Sequence, residues 1–173
     1  CQSNTPSVEL TDDVMYAGAY RSYDNPTYTL GRYYLGFSLP QPLPVEIISA
    51  KMRLSINSQN GTYGYKIYYQ DWGTELTALA WKDLATLTPA SDTIDYNPPI
   101  NNELDIPLKN ISSLISSNGR FVIALDDETT EPNEVNYIKF YYWDMDDNNY
   151  GTSCLEFVYK PDYTGEVAVV NSL

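Results

Sequence analysis

In Ala50-Lys51-Met52-Arg53-Leu54-Ser55-Ile56 the apolar side chains take every second position. Successive side chains of a strand point to opposite faces, so this spacing gives one dry face and one wet face. It is the period of a half-buried strand, read here as running from Glu46 to Ile56. Upstream, Tyr33-Tyr34-Leu35-Gly36-Phe37-Ser38-Leu39 reads as another strand. It is stopped by Pro40-Gln41-Pro42-Leu43-Pro44, because proline offers the ladder no N–H. Downstream, residues 57–61 read as a turn. Residues 63–69 then alternate again, with Tyr65, Ile67 and Tyr69 on one face.

The same reading extends to both ends. Residues 14–16 form a short first strand after the turn-like Thr11-Asp12-Asp13, and residues 103–108, 120–125, 135–143 and 155–160 read as further strands. Residues 72–84 have mixed apolar spacing and suit a short helix or an irregular loop. Residues 86–102, with Pro89, Pro98 and Pro99, are loop-like, and residues 126–133 form an acidic loop. One helix is expected, over residues 110–117, where Leu114 and Ile115 follow Ile111 at helical spacing and Asn118-Gly119 supplies a left-handed cap. Short strands separated by turn chemistry predict an all-β, antiparallel sandwich or barrel with one short helix. There is no internal repeat. Residues 1–11 read as an N-terminal extension, 12–160 as the domain, and 161–173 as a tail. Within that tail Glu166-Val167-Ala168-Val169-Val170 has the composition of one more strand.

Composition agrees with that class. The chain of 173 residues has 17 Tyr and no His, and 43 % of it is apolar, enough for a core without metals. Its formal net charge is −13. Such a chain repels phosphate backbones and anionic lipid surfaces, so nucleic acid is not an expected partner, and hard cations such as Ca²⁺ are the natural ones. No stretch reaches the ~20 apolar residues of a membrane helix. Cys1, followed by polar Gln2-Ser3-Asn4-Thr5-Pro6-Ser7, has three readings. It is the lipid-bearing residue of a processed lipoprotein, a disulfide partner in a mature secreted chain, or a cloning boundary. The first two place the protein outside the cell or on its surface. Cys154 is the only other cysteine. It suits a bond to Cys1, within one chain or between two, and equally a buried free thiol.

The order of Arg32-Tyr33-Tyr34-Leu35-Gly36-Phe37-Ser38-Leu39, Leu43-Pro44 and Ile47-Ile48-Ser49-Ala50-Lys51-Met52-Arg53-Leu54 resembles the DNRLRE-domain family of bacterial and archaeal exported proteins, which is related to carbohydrate-binding modules. Asp71-Trp72-Gly73-Thr74-Glu75 with Trp81 looks like the family's tryptophan segment. Leu104-Asp105-Ile106 and the helix after it look like its next strand and helix. Arg120–Leu125 and Leu155–Tyr159 look like its closing strands. The likeness covers roughly residues 12 to 160. Two departures stand out: Trp143-Asp144 replaces the family's serine-glutamate, and Cys154 replaces a common proline. The resemblance implies a jelly-roll-like sandwich, met beside enzymes or on surface proteins, with some members binding polysaccharide. No matched position is catalytic in that family, so no active site carries over.

Catalytic chemistry is correspondingly thin. Without His there is no Ser-His or Cys-His pair and no imidazole base, and two cysteines alone make no structural zinc site. Two carboxylates suffice for a glycosidase, yet nothing singles out one pair among 23 acidic residues. No enzymatic role is expected. In Asp144-Met145-Asp146-Asp147-Asn148-Asn149-Tyr150-Gly151, the oxygens of Asp144, Asp146 and Asn148 alternate as in the opening of a calcium loop, with Asp147 beside them. The motif lacks the glycine and glutamate of an EF-hand, and an Asn/Asp-rich hairpin turn explains it equally well. Asp126-Asp127-Glu128 is a weaker cation candidate. Trp143 and Tyr141 are the candidate sugar platform, with burial as the plain alternative, whereas for Trp72 and Trp81 the family resemblance implies a packing role in the core. Asn60-Gly61-Thr62 and Asn110-Ile111-Ser112 are N-glycosylation sequons, without meaning in a typical bacterium and open to sugar in an archaeon or eukaryote, the turn at Asn60 being the more accessible.

Two functions of different class fit these observations. One is a structural subunit that assembles with copies of itself into a filament or surface array, with the strand Glu166–Val170 donated to a neighbour's sheet edge, the plain alternative being a tail folded back on its own sheet. The other is a carbohydrate-binding surface protein tethered through Cys1.

Overall fold

The computed structural model describes residues 14–21, 28–41, 46–61, 63–95, 103–129, 136–141 and 153–160. It holds ten strands: β1 (Val14–Arg21), β2 (Tyr28–Gly31), β3 (Tyr33–Gly36), β4 (Glu46–Asn60), β5 (Tyr65–Tyr69), β6 (Thr88–Pro89), β7 (Glu103–Pro107), β8 (Arg120–Leu125), β9 (Asn136–Tyr141) and β10 (Cys154–Lys160). One helix, α1 (Ser113–Ser116), and two 3₁₀ turns, Ala78–Ala80 and Leu84–Thr86, complete the described elements. All strand pairs are antiparallel. They form a sheet ordered β10-β4-β9-β1-β2, with β7 also on β4, and a second sheet ordered β3-β8-β5-β6. The all-β antiparallel sandwich expected from the sequence is the observed architecture.

The alternation that begins at Ala50 puts Ala50, Met52, Leu54 and Ile56 inside, none more than 8 % exposed. Beyond Ser49 the parity would bury Ile48. Instead a bulge opposite Val158/Tyr159 inserts Ile48 as the extra residue, so Ile47 turns inward at 8 % and Ile48 outward at 51 % exposure. A second irregularity between Ile56 and Ser58 lets β4 continue to Asn60. The expected turn at 57–61 therefore shrinks to Gly61, whose φ of +94° suits glycine.

The facing sheet contributes Tyr33, Tyr65, Ile67, Tyr69, Phe121, Ile123 and Leu125 to one continuous core with Ile106, Ile138, Phe140, Leu155 and Phe157. Tyr33 stacks on Phe140 across the two layers, ring centroids 5.0 Å apart. β8 is apolar on both faces because both are covered: Phe121, Ile123 and Leu125 face the sandwich core, while Val122 and Ala124 pack with Tyr68 under Tyr34, Leu84 and Leu87. The helix is shorter than residues 110–117. Asn110 has φ +49°, which keeps it out of the helix, whereas Leu114 is fully buried and Asn118 and Gly119 close the turn at φ +56° and +68°. β2 and β6 fall where no strand was expected. The strand expected over 33–39 ends at Gly36, after which Phe37 donates its N–H to Gly119 O.

Candidate functional site

The densest polar constellation lies on the outer face of the four-stranded sheet, under a strap made by residues 71–87. Arg32, between β2 and β3, has a side chain only 3 % exposed. Its Nε and Nη2 donate to the two carboxylate oxygens of Glu128 at 2.9 and 2.5 Å, and its Nη1 donates to Lys82 O at 2.5 Å. Its Cζ sits 4.0 Å from the centroid of Trp81. One guanidinium thus meets a carboxylate fork, a carbonyl and an indole face, each suited to its planar charge. Beside it, Tyr34 OH donates to Ala80 O at 3.2 Å and Gln70 Nε2 donates to the same carbonyl at 2.6 Å. Burial is the main cause raising the Tyr34 phenol above its ordinary range, with the Arg32 charge opposing it. The strap is therefore pinned at Ala80 and Lys82, while Leu79, just before the first of these, stands 88 % exposed.

A similar motif lies at the strap's start. Arg120 places Cζ 5.1 Å from the Trp72 centroid and Nη1 3.1 Å from Asp71 Oδ1, which also accepts from Gly73 N at 3.0 Å. Trp72 rests on Gly36, where an added Cβ would come within 3.2 Å of the indole. Both tryptophans are half-buried packing residues with a guanidinium over the ring. They hold the strap down and leave those ring faces unavailable for sugar stacking.

On the outer face of the six-stranded sheet, β7, β4 and β10 carry a ladder of charges. Arg53 meets Asp105, its cross-strand partner, at 2.6 Å, and Lys51 reaches Asp105 at 3.1 Å and Glu156 at 3.0 Å. Hydrogen bonds from Arg53 and Lys51 hold the Asp105 carboxyl well below the usual range. These pairs are exposed and worth little each. Cys154 opens β10 opposite Arg53. It is a half-buried free thiol, so no disulfide is formed at it in this structure. Burial and then Glu156 push this thiol up, the opposite of a reactive cysteine.

Most sequence-derived candidates fall elsewhere. Tyr141 is the last residue of β9, opposite Val14, but Trp143 and the loop of Asp144, Asp146, Asp147 and Asn148 lie outside the described residues, as do Cys1 and Glu166–Val170. The second cation candidate is occupied by protein donors. Asp126 meets Lys66 Nζ at 2.7 Å and Thr93 Oγ1 at 2.8 Å, Asp127 Oδ1 accepts from Thr129, and Glu128 holds Arg32. Among the described residues no three His, Cys, Asp or Glu side chains converge as a metal site. Of the sequons, Asn60 is exposed at the end of β4, while Asn110 donates Nδ2 to Pro89 O at 2.9 Å. The Arg32–Glu128 pair went unread because 96 residues separate its partners and no local spacing signals it.

No family model, curated protein or solved structure matches the chain.

Proposed function

We propose that the protein is a non-catalytic extracellular structural subunit that assembles with copies of itself by adding a strand to an open sheet edge. The supporting observation is β10. This seven-residue strand ends the order of the larger sheet and, among the described residues, pairs only with β4. An edge of that length presents a row of N–H and C=O groups to a further strand. The chain carries a segment of matching chemistry in Glu166–Val170, whose Val-rich run suits a strand. Jelly-roll connectivity and membership of the DNRLRE-domain family belong to the same reading and rest on the sequence resemblance.

Light scattering of the purified chain, with negative-stain microscopy, tests the proposal. Fibres or large arrays are expected. A monomer at all concentrations overturns it and transfers the assignment to a carbohydrate-binding surface protein.

A further inference from the structure

The two sequons stand in opposite structural situations. Asn60 ends β4 with its side chain exposed, and its Cα partner is Tyr137 of β9. Asn136 and Ile138, the neighbours of Tyr137, are 0 % and 3 % exposed, so Tyr137 and the Asn60 opposite it lie on the outward face. Gly61 follows at φ +94°, directly over Asn136: an added Cβ would fall 1.7 Å from Asn136 Oδ1. Gly61 thus stays packed on Asn136 while the Asn60 amide, on the outward face, meets solvent. Asn110 is also exposed, yet its backbone is held at φ +49° and its Nδ2 donates to Pro89 O. That bond joins the turn leading into α1 to the end of β6. A sugar on Nδ2 would replace one of the amide hydrogens and crowd that contact.

We propose that Asn60, and not Asn110, is an N-glycan acceptor. The inference rests on the extracellular reading above. In the transfer, Asn60 Nδ2 attacks the anomeric carbon of a polyprenyl-phosphate-linked oligosaccharide presented by an oligosaccharyltransferase. The N–C1 bond forms, the C1–O bond to phosphate breaks, the amide gives up one proton to the transferase, and the lipid phosphate leaves. Thr62 supplies the hydroxyl residue that the sequon requires.

The full chain, expressed behind a cleavable secretory leader in yeast, is analysed by glycopeptide mass spectrometry. Because the host supplies export, the result does not depend on where the natural protein resides, and assembly is read separately by light scattering. One glycan at Asn60 and none at Asn110 is expected. Asn60→Gln and Thr62→Ala each abolish the added mass, and Asn110→Gln leaves it unchanged. Thr62→Ala keeps Asn60 itself, so its effect cannot come from loss of that side chain. A bare Asn60, or sugar on Asn110, in the secreted folded chain overturns the proposal.

Discussion

The guanidinium of Arg32 lies 4.0 Å above Trp81 while forking onto Glu128, so a residue of the β2–β3 junction joins the strap to the loop after β8. The pair is buried, with side chains 3 % and 12 % exposed. Removing one member leaves the other charge without its counter-ion in a dry site. Arg32→Met and Glu128→Ala are each expected to cost about 3–5 kcal/mol, measured by urea denaturation. The double variant Arg32→Met/Glu128→Leu should lose clearly less than the sum, because no orphan charge remains. Losses below ~1 kcal/mol for both single variants would show that the pair does not hold the strap.

Gly119 offers a test of backbone geometry. At φ +68° an alanine pays the left-handed penalty, and its Cβ would lie 2.4 Å from Phe37 O, a backbone carbonyl. That carbonyl cannot retreat freely, since Phe37 N donates to Gly119 O at 2.9 Å. Gly119→Ala is expected to destabilise by about 2 kcal/mol or more. Gly73 also has positive φ, +86°, but nothing within 4 Å of an added Cβ. Gly73→Ala should therefore show the conformational cost alone, about 1–2 kcal/mol. Equal losses in thermal melts of the two variants would mean that the contact with Phe37 is unimportant.

These positions mark what was legible in the sequence. Period-two runs such as 50–56 and 65–69 announced their strands and their inward faces, because burial on one face dictates which residues can stand there. The Asn118-Gly119 cap was legible because few residues tolerate positive φ. The extension of β4 through Ser58 and Gln59 was not, because a bulge resets the parity that a periodic reading relies on. β2 and β6 were missed for lack of a run: each is four residues or fewer and is held by its neighbours. Trp81 was read as packing, but its guanidinium partner, Arg32, was not foreseen. Contacts between residues far apart in the chain depend on the finished topology and leave no local trace.

The pH profile should be flat in the middle and fall on the alkaline side. With no His, no imidazole titrates between about pH 5 and 8. Burial pushes the Tyr69 phenol from 10.0 up to about 12, and burial raises Tyr65 further still. A phenol whose folded pKa is raised stays neutral in the fold while the unfolded chain ionises. Its contribution is complete below about pH 10, the unfolded value, and is lost as pH rises through the folded value. Stability should decline from about pH 10 by on the order of 1 kcal/mol per pH unit for each such group. Tyr69→Phe should flatten that slope. It should also cost about 1 kcal/mol at neutral pH, since Tyr69 OH donates to Lys109 O at 2.9 Å. An unchanged slope in denaturation curves between pH 9 and 12 would remove Tyr69 as a contributor.

Strand addition at β10 makes a demand on the donor. In an added strand Val167 and Val169 share one face, and Ala168 and Val170 the other. The acceptor strand turns Leu155 and Phe157 into the core, 2 % and 4 % exposed, and carries Glu156 on its charged outer face. A donor that extends this sheet must lay one apolar pair against the continuing core. Lysine at Val167 and Val169 puts two charges on one face of the donated strand, a device that natural edges use to refuse partners. If that face is the buried one, assembly fails. The companion variant, with lysine at Ala168 and Val170, should then still assemble, because its charges join the outer ladder of Lys51, Asp105 and Glu156. Light scattering should thus separate the two double-lysine proteins, one monomeric and one polymeric, both with the melting temperature of the unmodified chain. Polymerisation of both, or a matched fall in both melting temperatures, would show that Glu166–Val170 does not act as the donated strand.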